Sequence, residues 1–170
     1  MPVLAVCSLA KLDKTLSETG AQHLVTILSD HTAVPRPQII PENRHLKLIA
    51  SDITQPLEGH HLATSDHVEQ LITFVRAWDQ DKPLLIHCWA GISRSTAAAY
   101  IAALSLNPKL DDDDLADHLR TVAPSATPNP RLIALADGLL SRKGRMIKAI
   151  QRIGRGQDAF EGTPFTLSFK

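Results

Sequence analysis

The chain has 170 residues, of which 44 % are apolar and 21 % charged, with 18 Lys and Arg against 18 Asp and Glu. That is the length of one domain with enough apolar content for its own core, so a disordered chain is excluded, and a balanced charge offers no global attraction to nucleic acid. Two cysteines, Cys7 and Cys88, exclude the disulfide framework of small secreted domains, and no apolar run approaches the roughly 18 residues of a membrane span. The expectation is a soluble, cytoplasmic protein without a nucleic-acid or membrane partner. The segment Met1–Lys11 has no basic residue ahead of its apolar run and does not read as a signal peptide.

Val3 to Ser8 is a short apolar run that predicts a buried strand. Lys11 to Thr19 carries Leu12 and Leu16 four apart and stops at Gly20, which predicts a short helix. His23 to Leu28 predicts a second strand. Prolines 35, 37 and 41 make the next stretch a loop. His45 to Ile49 predicts a third strand. Ala50 to Ala63 has no helical period and contains Pro56 and Gly59, so it is a long loop straight after a strand, where layered α/β proteins collect functional residues.

Thr64 to Gln80 is the clearest amphipathic helix, with Val68, Leu71, Ile72, Val75 and Trp78 on one face and Thr64 or Ser65 as its cap. Asp81-Lys82-Pro83 turns into the strand Leu84 to Ile86, which runs on into His87-Cys88. A tight loop follows, then the helix-forming run Thr96 to Leu104. Asn107-Pro108 breaks the chain. The acids Asp111 to Asp114 open a helix through Leu115 and Leu119 to Val122, and the simplest role for acids at a helix start is to cap it and complement its dipole. Pro124 to Pro130 is a rigid loop, and Pro130 suits the first position of the helix Arg131 to Ser141. The last helix, Arg142 to Ile153, is basic, with a solvated charged face as its simplest reading and contact with a partner or anionic lipid as the other. Gly154 to Lys170 has mixed composition and three glycines, and reads as a loosely held tail. Strands alternating with helices in this order predict an α/β sheet with helices on both faces.

The chemistry concentrates in His87-Cys88-Trp89-Ala90-Gly91-Ile92-Ser93-Arg94-Ser95. A cysteine at the end of a strand, in a loop that leads into a helix N-terminus, sits among unpaired N–H groups and the positive end of a dipole. That place suits an anion and a thiolate nucleophile. Five residues separate Cys88 from Arg94, enough for the loop amides and the guanidinium fork to surround one tetrahedral dianion. Gly91 allows the close turn. His87 can orient the cysteine backbone and favour the thiolate, and Ser95 can donate to the sulfur when it leaves. Cys7 has no such neighbours and reads as an inert core cysteine, with a reversible bridge to Cys88 as the alternative. Trp89 reads as a rim residue, and His60, His61 and His67 as surface residues near the upstream loop.

This segment resembles the signature loop His-Cys-x-x-Gly-x-x-Arg-Ser of the cysteine-dependent protein tyrosine phosphatases, and the compact dual-specificity-like branch in particular. The resemblance implies a single α/β domain with a mostly parallel sheet of four to five strands, here residues 1–155, followed by a tail over 156–170. It implies a general-acid aspartate on a loop upstream of the cysteine. Asp52, 36 residues before Cys88 and just after the third strand, fits that place. Asp66 is its rival, nearer a helix start. The stretch Pro124 to Asn129 before a helix resembles a Pro…Pro-Asn segment of the same enzymes, whose Asn helps to hold the loop. Asn129 is the matching position, although the Arg of that pattern is not matched beside Pro124, the nearest being Arg120.

The implied reaction is hydrolysis of a phosphomonoester through a phosphocysteine on Cys88. Asp52 is general acid and then base. Arg94 and the loop residues Trp89, Ala90, Gly91, Ile92 and Ser93 hold the phosphate, Ser95 and His87 assist, and no metal or other cofactor is called for. The implied substrate is a phosphorylated protein or peptide, with phosphotyrosine favoured. Three other readings stand beside it: a phosphoinositide or other small phosphate ester, a phosphate-binding module without turnover, and the rhodanese-like sulfurtransferases or arsenate reductases, which also hold a cysteine in an oxyanion loop. The uncharged side chains of Trp89, Ala90, Ile92 and Ser93 weigh against a phosphoinositide, which would favour lysines in the loop.

Overall fold

The computed structural model describes residues 1–32 and 34–170, so Ala33 of the proline-rich loop lies outside the described residues. Among the described residues five strands form one sheet in the order β3-β2-β4-β1-β5. They are β1 Val3–Ser8, β2 His23–Leu28, β3 His45–Ile49, β4 Leu84–Cys88 and β5 Phe165–Ser168. The first four pair in parallel, and β5 runs antiparallel to β1. β2 and β4 are buried along their whole length and β1 is buried after Val3, which explains why these strands read as unbroken apolar runs rather than alternating ones. β3 is at the sheet edge and leaves Lys47 and Ile49 exposed.

Among the described residues six α-helices flank the sheet: α1 Leu12–Thr19, α2 Ser65–Arg76, α3 Arg94–Leu106, α4 Asp112–Val122, α5 Pro130–Leu139 and α6 Arg145–Ile153. Leu12 and Leu16 of α1 pack on Ala5, Cys7, Leu24 and Leu85, one face of the sheet. The opposite face (Leu4, Val6, Val25, Ile27, Leu84 and Ile86) meets the larger core, to which α2 to α6 all contribute. α3 is central. Its residues from Arg94 to Ser105 are all buried, and its alanines let neighbouring elements approach closely on every side, as an element apolar all round requires.

Two expectations change. The segment 156–170 is not a loose tail. Phe165–Ser168 forms the edge strand β5, and Leu167 and Phe169 are buried in the main core. The basic stretch is not a simple solvated face either. Its helix begins only at Arg145, after Gly144 in the left-handed region at φ +84°. Arg142 is buried and forks onto Asp112, with Nη2 2.6 Å from Oδ2 and Nε 3.1 Å from Oδ1. Arg145 also reaches Asp112, and Arg152 reaches Asp113 and Asp117. The acidic run thus has two roles. Asp111 caps α4 by accepting from the N–H groups of Asp113 and Asp114, and its successors hold α6 by charge.

Candidate active site

β4 delivers Cys88 to the carboxyl edge of the sheet, and the loop 89–93 turns directly into α3. The turn depends on Gly91. Its φ is +71°, and a Cβ there would stand 2.8 Å from the Cys7 carbonyl carbon and the Ser8 nitrogen, a clash with backbone that no side-chain rotation relieves. The Gly91 N–H donates to Cys88 Sγ at 3.3 Å, and Ser95 Oγ, on the first turn of α3, lies 3.1 Å from the same sulfur.

Five of the six carbonyls from Cys88 to Ser93 are taken up by the surrounding chain. Cys88 C=O accepts from His87 Nδ1 (3.3 Å), Trp89 C=O from Leu9 N (3.0 Å) and Ala90 C=O from Gly162 N (2.8 Å). Ile92 C=O accepts from Thr127 N (2.9 Å) and Ser93 C=O from Asn129 N (3.2 Å). The backbone N–H groups of Trp89, Ala90, Ile92 and Ser93 have no hydrogen-bond partner among the described residues. A loop with its acceptors engaged and its donors left over is an anion cradle. The guanidinium completes it. Arg94 Nη1 is anchored on Ala50 C=O at 2.8 Å, while buried Nε has no partner among the described residues. The Nε/Nη2 edge is therefore the one left for a fork on an oxyanion. An unpaired buried donor costs roughly 1–3 kcal/mol, and more when charged, until something accepts from it.

Asp52 stands exposed beside the loop. Ser93 Oγ donates to its Oδ1 at 2.7 Å and Asn129 Nδ2 to the same oxygen at 2.9 Å. Asn129 Oδ1 caps α5 by accepting from the N–H groups of Arg131 and Leu132. Asn129 thus joins three elements, but its side chain holds the aspartate and only its backbone holds the signature loop. Asp66 is exposed on the first turn of α2 and makes no hydrogen bond to the loop among the described residues. His61 pairs through its backbone with Ser51 and through Nε2 with Asp30, and His67 closes the capping box of α2 with Thr64.

His87 is fully buried, and loss of hydration lowers its pKa to about 4, so it is neutral near pH 7 and orients Cys88 without adding charge. Cys7 is buried among the α1-side apolar residues, which pushes its thiol up to about 12. Ser8, not Cys7, is in register with Cys88. Strand alternation therefore sends the two cysteine side chains to opposite faces, and a Cys7–Cys88 bridge would require the strand to break its pairing.

Several supports of the site carry little or no sequence signal. Arg120 Nη1, on the last turn of α4, binds the carbonyls of Ala123, Pro124 and Ala126, and its Nη2 binds that of Gly154, which fixes the Pro124–Asn129 loop that follows the helix. The chain before β5 closes over the signature loop. Glu161 accepts from Ser8 Oγ at 2.8 Å, and a Cβ on Gly162 would lie 2.7 Å from the Gly91 oxygen. Trp89 is 58 % exposed and Phe160 95 % exposed, and with Leu9 and Ala10 they line a rim cavity of about 260 Å³.

No protein-family model matches the chain. Thiosulfate sulfurtransferase GlpE of Pseudomonas syringae pv. syringae (strain B728a) is 32 % identical over 75 residues, which are 43 % of this chain and 71 % of that protein. Over that stretch the two are sequence relatives. Solved structures match far more of the chain. DUSP15 superimposes with a TM-score of 0.66 at 20 % identity, covering 89 % of this chain and 92 % of its own. Human DUSP28 gives 0.59 at 20 % identity, over 79 % and 84 %. PTPMT1, solved with PI(5)P, gives 0.60 at 10 % identity, over 81 % and 87 %.

Proposed function

We propose that this chain, which has the fold of the compact cysteine-dependent protein tyrosine phosphatases, is a phosphomonoester hydrolase that acts on phosphorylated protein, phosphotyrosine first. The observation that carries the reading is the loop itself. The five residues after Cys88 carry four amides without a partner among the described residues, Arg94 Nε next to them is likewise unpartnered, and Asp52 is tied to the loop through Ser93. This is a cradle for the three equatorial oxygens of a phosphoryl group with a nucleophile beneath it.

The reaction runs in two displacements. Cys88 thiolate attacks phosphorus, the bond to the ester oxygen breaks, and the proton of Asp52 goes to that leaving oxygen. Both donors on Asp52 address Oδ1, so Oδ2 is the oxygen that carries the proton. Water then attacks the phosphocysteine and gives its proton back to Asp52, while the S–P bond breaks and the Ser95 hydroxyl donates to the departing thiolate. Arg94 and the amides hold the equatorial charge throughout. Trp89 and the other uncharged loop side chains favour a phosphoprotein over a multiply phosphorylated lipid. A cytoplasmic setting belongs to the same reading.

The sulfurtransferase relative favours one other reading. There Cys88 would attack the sulfane sulfur of thiosulfate, sulfite would leave, and the persulfide would pass its sulfur to a nucleophile such as cyanide. No proton donor is needed for that leaving group, so Asp52 separates the two. The test is hydrolysis of an aryl phosphate in EDTA, with thiosulfate–cyanide transfer run beside it, on wild type, Cys88→Ser and Asp52→Asn. The expected result is phosphatase turnover in wild type, none in Cys88→Ser, and a loss of about 10²–10⁴-fold in Asp52→Asn, the range of a general acid. An inactive wild type or an active Cys88→Ser overturns the phosphatase reading. Sulfur transfer insensitive to Asp52→Asn, in the absence of hydrolysis, establishes the other. A phosphopeptide panel then ranks phosphotyrosine against phosphoserine and phosphothreonine.

A further inference from the structure

Three polar side chains cross the core of the sheet in a row. His45 Nε2 on β3 lies 2.9 Å from Thr26 Oγ1 on β2. Thr26 Oγ1 lies 2.8 Å from His87 Nε2 on β4, and His87 Nδ1 lies 3.3 Å from Cys88 C=O. Thr26 is 3 % exposed and His87 is fully buried. Neither packing nor the reaction above calls for a threonine at Thr26 or a second imidazole at His45.

We propose that Thr26 and His45 are positioning residues for Cys88, acting through His87 as a one-directional hydrogen-bond relay. The direction follows from the end of the row. A carbonyl only accepts, so His87 Nδ1 carries the proton. His87 is neutral near pH 7, so its Nε2 is a bare acceptor and the Thr26 hydroxyl donates to it. The single Thr26 proton is then spent, and the Thr26 oxygen accepts from His45 Nε2–H. His45 donates at Nε2 whether its ring is neutral or charged, so the relay keeps its sense as His45 titrates.

The consequence lies at the strand end. In a planar trans peptide the C=O and the next N–H point opposite ways. Pinning Cys88 C=O on His87 therefore fixes the direction of the Trp89 N–H, the first amide of the cradle, together with the backbone that carries Sγ. Without the Thr26 donor, His87 is free to take the other tautomer, whose bare Nδ1 would face the carbonyl lone pairs.

The proposal rests on the phosphatase reading for its kinetic arm only. The primary readout is the ring ¹⁵N spectrum of His87 in histidine-labelled protein, assigned with His87→Gln. Wild type is expected to show the Nδ1–H tautomer, and Thr26→Val a loss of that preference. On an aryl phosphate, Thr26→Val is expected to lower kcat about tenfold, the effect of one buried hydrogen bond, with KM within twofold, and Thr26→Ser is expected to restore both spectrum and kcat. His45→Phe, at a half-buried position, gives a smaller shift in the same direction and decides the matter should Thr26→Val not fold. Unchanged His87 shifts in Thr26→Val, or a Thr26→Ser that fails to rescue a lost kcat, overturns the relay. A wild type with the expected tautomer but no hydrolysis overturns the phosphatase reading and leaves the relay standing.

Discussion

At the scale of single residues, the site is made by what each group is denied. Among the described residues four loop amides and Arg94 Nε have no acceptor, while five loop carbonyls are already engaged. Gly91 is the residue that permits this arrangement. With φ at +71° and backbone atoms 2.8 Å from any Cβ, Gly91→Ala must open the loop or push β1 aside. The left-handed conformation alone costs an L-residue roughly 1–2 kcal/mol. Gly91→Ala is expected to retain its far-UV circular dichroism while losing at least about a hundredfold in kcat on an aryl phosphate, since the cradle amides turn with the loop. Wild-type kinetics in that variant would show that the tight turn is dispensable. The residues of the loop were legible in the sequence because the chemistry demands them at short spacing. Thr26 was not, because it acts across strands far apart in sequence, and Arg120 was legible only as the arginine nearest Pro124, its reach to Gly154 lying 34 residues away.

At the scale of elements, the charges on α4 and α6 explain how the chain after α3 is held. Asp112 and Arg142 are both about 5 % exposed and meet at 2.6 Å, while the Arg152 pairs with Asp113 and Asp117 lie at the surface. Removing one member of a buried pair strands its partner. Asp112→Ala is therefore expected to lose about 3–5 kcal/mol of unfolding free energy in urea, and Asp113→Ala to change it little, since exposed pairs contribute little. Equal effects from the two variants would mean that burial is not what gives Asp112 its weight. The first four strands could be read from apolar runs at their observed limits, apart from β4, which extends through His87 and Cys88. β5 could not be read in the same way. It is four residues long, and its alternation of Phe165, Leu167 and Phe169 with Thr166, Ser168 and Lys170 is the only trace it leaves in composition. The start of α6 slipped by three residues from the expected Arg142, because Arg142 is consumed by a buried ion pair before the helix begins.

At the scale of the molecule, the sheet buries imidazoles that in water would titrate near neutrality. Burial lowers the pKa of His87 to about 4, and also lowers those of His23 and His45. A histidine whose folded pKa is depressed binds protons more readily in the unfolded chain, so it favours folding fully above the unfolded value and progressively less as pH falls toward the folded one. For His87 the window is from about 6.5 down to about 4. Between pH 7 and pH 5 its share of the lost stability is about 2 kcal/mol, with His23 and His45 adding in the same direction. Urea unfolding at the two pH values should show this loss, and a flat profile would contradict the burial of a neutral His87.

The sequence by itself determined the fold class and marked the candidate loop. Both rest on local rules: buried parallel strands need unbroken apolar runs, and a strand–loop–helix junction with Cys, Gly, Arg and Ser in register presents donors to an anion. Only the tertiary structure decided how that loop is held. The carbonyls that must be turned away are taken by Leu9, by Thr127 and Asn129 of one loop, and by Gly162, from three separate parts of the chain. Asp52 is steadied by Asn129, 77 residues away, and the final strand is stable because β1 offers it an edge. These are pairings between groups that are neighbours in space and strangers in sequence. Their geometry exists only once the core has brought the elements together.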